Sequence, residues 1–205
     1  MKRLLFFGVL AFTTLPSIKG QNLDIDILRE INTHRNASLD PSFMIITNSV
    51  TPLSIAMPVA FLANAILKKD SSGKAKALIV CSTVIVASII STTLKQTVQR
   101  ERPFTTYPDI QKVASGGSYS FPSGHTSSAF ALATSFSIVN PKWYVIVPSY
   151  LWAATVGYSR MDLGVHYPSD VLAGAIVGSG SAFLSYKINQ WMHKTPHRSV
   201  FNNQR

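Results

Sequence analysis

Three stretches of this chain, residues 77–94, 143–157 and 171–186, contain no charged side chain. A helix in water keeps charge on the face turned away from its core. One that is free of charge all round has to be surrounded by protein or by lipid. Six apolar segments can be read, at roughly 4–18, 52–67, 77–94, 123–140, 143–158 and 169–187. Several fall short of the about 20 residues of an ordinary spanning helix. They are rich in Ser, Thr, Gly and Ala, the small residues that let membrane helices approach closely. Only 14% of the 205 residues are charged, where soluble domains carry about 25%. The pattern predicts an all-α polytopic membrane helix bundle of five to six transmembrane helices. A hydrophobic content of 46% excludes a disordered chain. The single cysteine, Cys81, excludes a disulfide scaffold and reads as a small buried hydrophobe.

The net charge of +10 would suit a nucleic-acid binder or an anionic membrane surface. Its distribution separates the two. If Lys2 and Arg3 lie inside and each later apolar segment crosses once, 11 basic residues and a single acid, Asp70, fall on the inner side. The outer side then holds 8 basic and 8 acidic residues. Such sidedness is what the positive-inside rule describes. A nucleic-acid binder has no reason for it, and no basic face interleaved with aromatics is present. No nucleic-acid or protein partner is expected; the expected partners are the bilayer and a lipid within it.

The first 20 residues have a basic start, an apolar stretch and Pro16 ahead of small residues, the grammar of a signal peptide. They read either as a cleaved leader or as a first transmembrane helix, with one domain over 21–205. Residues 21–50 read as a short amphipathic helix with Leu23, Ile27, Leu28 and Ile31 on its packed face.

Three polar clusters fall on the expected outer side. The first runs from Lys95 to Arg102 and Pro103. The seven-residue spacing puts both cations on one helix face, and Pro103 marks that helix's end. The second is Pro122, Ser123, Gly124 and His125. Ser123 is a natural N-cap, and Gly124 lets an anion approach the N–H groups of the helix start. The third is Ser159, Arg160, His166 and Asp170. Asp170 can accept a hydrogen bond from His166, fix its tautomer and leave its other nitrogen free to attack. Arg160 can fork onto phosphate oxygens. Each cluster alone has an ordinary structural use. Together they supply cations, an anion-binding helix start and two histidines, one to attack and one to protonate a leaving oxygen. No metal or other cofactor is expected, because the cations supply the electrostatic stabilisation and the His and Asp spacing matches no zinc signature.

These residues resemble the type 2 phosphatidic acid phosphatase family. Its tripartite pattern is matched as Lys95-x6-Arg102-Pro103, Pro122-Ser123-Gly124-His125 and Ser159-Arg160-x5-His166-x3-Asp170. The resemblance implies a six-helix membrane fold and a metal-independent lipid phosphatase. His166 would be the nucleophile, forming a phosphohistidine, Asp170 its orienting partner and His125 the general acid and then base. Lys95, Arg102, Ser123, Gly124 and Arg160 would hold the phosphate. The substrate would be a phosphomonoester or pyrophosphate lipid, with phosphotransfer between lipids as the alternative. The expected location is a bacterial inner membrane with the site facing the periplasm or exterior, the loop 103–121 gating access.

Overall fold

The structure, a computed structural model, describes residues 18–192, and among them it is helical without strands. The leader at 1–20 lies outside the described residues except for its last three positions. The basic tail residues Lys194, Arg198 and Arg205 lie outside as well. Helix α1 spans Ile18–Thr33, α2 Asp40–Asn48, α3 Val50–Leu67 and α4 Ser71–Val98. A single turn, α5, covers Pro103–Thr106; α6 runs Gly124–Val139, α7 Trp143–Asp162 and α8 Pro168–Met192. Short connections at 68–70, 140–142 and 163–167 make neighbouring helices antiparallel. The lysines of the first two turns therefore lie at the end of the bundle away from His166.

Three runs are long and apolar enough to cross a membrane: Ala37–Leu67, Ser71–Thr106 and Pro168–Met192. The segment expected at 123–140 is present and lies innermost. As α6 it is the centre of the bundle, packed against α3, α4, α7 and α8. Its Ser, Thr and Ala residues are buried along most of its length. That use explains both its shortness and its small side chains. Opposite it, α8 presents Gly174 and Gly178. A Cβ at Gly178 would lie 2.3 Å from the Ser127 carbonyl oxygen, and one at Gly174 2.7 Å from that of Ser123. The two backbones are in direct contact, which only glycine permits.

Several sequence expectations are corrected here. On α1 the packed face is Asp24, Ile25, Leu28 and Asn32, whereas Leu23 and Ile27 are exposed. Apolar periodicity missed that face because two of its four members are polar. Asn32 explains why: its amide spans Asp162 O (2.8 Å) and Gln111 O (3.0 Å), tying α1 to the site end of α7. Cys81 is partly exposed rather than buried. Lys95 and Arg102 do not share a helix face. Helix α4 ends at Val98, and Gln99 turns the chain with a left-handed φ of 52°, its N–H bonded to Lys95 O. Arg102 thus stands beyond the helix, at the start of α5.

The contact of α6 with α8 generates a stability prediction. Gly178→Ala is expected to lower stability by about 1–3 kcal/mol, the usual cost of overpacking. Gly180 has open space around it, so Gly180→Ala should be neutral or slightly stabilising. Unfolding of the two variants in detergent checks this, and equal midpoints would contradict the backbone contact.

Candidate active site

Four pieces of chain meet at one end of the bundle: the end of α4 with α5, the start of α6, the end of α7 and the start of α8. Helix α8 opens with Pro168, whose missing N–H suits a first helical position. Asp170, two residues on, reaches back to accept the Tyr167 N–H at 3.0 Å, half of a capping box. Its own carbonyl accepts the Ser123 N–H at 3.0 Å and so fixes the start of α6 beside the start of α8. Ser123 then caps α6, its oxygen accepting from Thr126 N (3.4 Å) and Thr126 Oγ1 (2.8 Å). The next N–H groups, of Gly124 and His125, have no intrahelical acceptor and form an anion-attracting start.

His166 lies in the α7–α8 connection and is 2% exposed. Its Nδ1 is 3.4 Å from Asp170 Oδ2, and its Nε2 is 3.4 Å from Arg102 Nη1. These partners assign the tautomer. A carboxylate only accepts, so Nδ1 carries the proton; a guanidinium only donates, so Nε2 holds the lone pair. The free nitrogen therefore points into the cation cluster. Burial pushes His166 down to about 4, against the raising effect of Asp170, and the charges of Arg102 and Arg160 add to the lowering.

The cations are held by backbone carbonyls of the loop after α5. Arg102 donates to Gly117 O (3.1 Å), Ser118 O (3.3 Å) and Val165 O (2.8 Å). Lys95 Nζ donates to Tyr119 O at 2.8 Å. Arg160 donates to Thr47 Oγ1 (2.9 Å) and Ser115 O (3.3 Å), while its buried Nε has no partner among the described residues. An orphaned guanidinium N–H in a buried position is the kind of donor an anion would satisfy. His125 is largely buried and lies in the field of Arg160, Arg102 and Lys95, and both effects disfavour its charged form. All eight site residues expected from sequence are thus brought to one end of the molecule. Among the described residues no group of three or more His, Cys, Asp or Glu side chains is placed to hold a metal ion.

Sequence reasoning missed two residues. Arg100 donates to Asp170 Oδ1 (2.9 Å), Ser169 Oγ (2.7 Å) and Asp24 Oδ2 (2.7 Å), and its guanidinium lies 3.7 Å over the Tyr167 ring. Asp24, on α1, also accepts the Ser169 N–H at 2.9 Å, supplying α8 with a cap from another helix. Arg100 therefore engages one oxygen of Asp170 and leaves the other to His166. The sequence offered one signal for Asp24, an acid at helical spacing from Leu28 and Asn32; Arg100 lies within the first polar cluster but outside the family's pattern and was left out for that reason.

A family profile described as the PAP2 superfamily matches residues 76–194. A lipid A 4'-phosphatase from Bacteroides thetaiotaomicron is 38% identical over 88 residues, 43% of this chain and 39% of that protein. An undecaprenyl-diphosphatase from Sulfolobus acidocaldarius is 34% identical over 105 residues, 51% of this chain and 50% of that protein. The chain thus spans half or less of the length of these two curated relatives. The crystal structure of Aquifex aeolicus LpxE superposes with a TM-score of 0.71 at 28% identity, covering 80% of this chain and 95% of that one.

The buried histidine makes stability depend on pH. Above an unfolded pKa of about 6.5 His166 is neutral in both states and contributes nothing. As pH falls below that, the unfolded chain takes up a proton that the folded site refuses until about 4. Stability should therefore drop between pH 6.5 and 4, by up to about 3 kcal/mol at 1.36 kcal/mol per pKa unit. Unfolding in detergent across that range, with His166→Gln as the reference, measures it. The variant should lose less stability on acidification than the parent; parallel curves would contradict a neutral His166.

Proposed function

The chain belongs to the PAP2 superfamily, and from that footing we propose that this multi-pass membrane protein hydrolyses the phosphate of a membrane lipid through a phosphohistidine, without a metal. The observation that carries the proposal is the tautomer of His166: Nδ1–H is held by Asp170, and the Nε2 lone pair is turned toward Arg102. An imidazole so held needs no proton removed before it attacks phosphorus.

The steps follow from the residues present. The phosphate is held by Arg102, Lys95, Arg160 and the N–H groups at the start of α6, its oxygens replacing the loop carbonyls that those cations now contact. Nε2 of His166 forms the P–N bond as the bond to the leaving oxygen breaks, and His125, protonated once the negative phosphate offsets the field of the three cations, gives that oxygen its proton. The positive imidazole that results is stabilised by Asp170, itself engaged by Arg100. Water then attacks phosphorus, His125 takes its proton, the P–N bond breaks, and His166 returns to the neutral form with phosphate released. The three cations act as fixed charges on the phosphoryl oxygens throughout. Loop 103–121 must open for the phosphate to enter.

The positive-inside pattern supports an inner-membrane orientation with the site on the periplasmic or outer side. The turns carrying Lys68, Lys69 and Lys142 lie at the opposite end of the bundle. The five helices α3, α4, α6, α7 and α8 would form the membrane bundle. Residues 1–20 would precede it as a leader or a further span.

Phosphate release by the detergent-purified protein tests the proposal directly. Release is expected to persist in EDTA, and His166→Ala should lower it by at least about a thousandfold, as loss of a catalytic nucleophile does. Abolition by EDTA, or substantial turnover in the variant, would refute it. No free phosphate, with the phosphoryl group recovered on an added acceptor lipid, would redirect the reading to phosphotransfer.

A further inference from the structure

Helix α1 lies before residues 76–194, the stretch that the family profile matches. Even so, one of its side chains reaches the partner of His166. Asp24 is buried and serves two groups. Its Oδ1 accepts the Ser169 N–H at 2.9 Å. Its Oδ2 accepts Arg100 Nη2 at 2.7 Å, together with the Ser169 hydroxyl. Arg100 turns its other terminal nitrogen, Nη1, to Asp170 Oδ1 at 2.9 Å, and the Tyr167 ring covers one face of the guanidinium. Asp24, Arg100, Asp170 and His166 thus form one continuous chain of charged and polar groups.

Capping α8 does not by itself call for a carboxylate, because a neutral Asn or Ser oxygen caps a helix about as well. The second oxygen of Asp24 is the one with a further use. Arg100 carries a full positive charge against Asp170, and alone it would cancel the charge that Asp170 offers to His166. Asp24 takes a share of that guanidinium. Two carboxylates around one guanidinium leave a net negative charge beside the imidazole. Among the described residues no other carboxylate pairs with Arg100 or His166. The other charged groups acting on His166, Arg102 and Arg160, are positive and oppose a positive imidazole. The balance matters in one step. Forming the P–N bond turns a neutral imidazole positive. With Asp24 in place the chain becomes neutral overall; without it, a buried uncompensated positive charge appears, which is strongly unfavourable.

We propose that Asp24 is a positioning residue for the phosphoryl-transfer step: by sharing the charge of Arg100 it leaves Asp170 free to support His166 as the P–N bond forms. Helix α1 then belongs to the active site as well as to its packing. Binding of the phosphate is separate from this role, because Lys95, Arg102 and Arg160 make their hydrogen bonds to other groups. The proposal rests on the phosphatase reading above and adds a residue to its machinery.

The test assays the full chain in detergent on phosphatidic acid, a lipid A phosphate and undecaprenyl diphosphate, and uses the fastest of the three for the variants. Asp24→Asn keeps the size and a capping oxygen but removes the charge. It should lower kcat/KM about tenfold, the effect of one pKa unit on the histidine. Inhibition by inorganic phosphate, which reads the cation cradle alone, should stay as in the parent. Asp24→Glu restores the charge and should recover part of the loss. Asn32→Ala loosens α1 at its other tie, to Asp162 O and Gln111 O, without touching Arg100; its kcat/KM should stay near that of the parent. An unchanged kcat/KM in Asp24→Asn would overturn the positioning role. So would weaker phosphate inhibition alongside the loss, an equal loss in Asn32→Ala, a Glu variant no better than the Asn variant, or an Asp24→Asn protein that does not fold. In each of those cases turnover by the parent leaves the phosphatase reading standing. No turnover of any lipid by the parent would overturn both.

Discussion

The site depends on one fully buried carboxylate. Asp170 has no exposed surface, yet it is satisfied on both oxygens. Oδ2 takes the Tyr167 N–H and faces His166 Nδ1, while Oδ1 takes Arg100. Its backbone carbonyl holds the first residue of the α6 turn. A buried charge with one partner is a liability, and its removal is worse. With three donors and a helix start behind it, the charge instead orders its surroundings. It caps α8, sets the tautomer of His166 and joins the two helices whose ends form the floor of the site.

Around that carboxylate, the membrane fold and the polar site use the same helices for different ends. The middle of α6 and α8 is made of small residues so that backbones can touch. The contact brings the helix starts, and the groups they carry, within reach of each other. The cations come from the ends of neighbouring helices and are held by carbonyls of the loop 115–120. Such an arrangement keeps three positive side chains close together, since each has neutral oxygens to donate to.

The sequence made the chemistry legible, because it sits in compact polar clusters that interrupt apolar helices. Ser123 as N-cap and Asp170 as partner of His166 follow from local spacing alone. The helical segments were legible for the same reason, and the small residues of α6 announced its close packing. What was hidden depends on distant pairs. The turn at Gln99 places a non-glycine residue in a left-handed conformation, so nothing in the local sequence announced that Arg102 leaves the helix. Asp24 and Arg100 find each other across 76 residues. The packed face of α1 is half polar and escapes a search for apolar periodicity. In each case tertiary contact, not local preference, decides.

The central claim is that Nε2 of His166 becomes bonded to phosphorus. The direct measurement is rapid quench of the protein with a ³²P-labelled lipid substrate, with the adduct located by peptide mapping. A base-stable, acid-labile phosphoryl group on the peptide containing His166 is the predicted result. Turnover with no such adduct, or a label on another residue, would contradict the account.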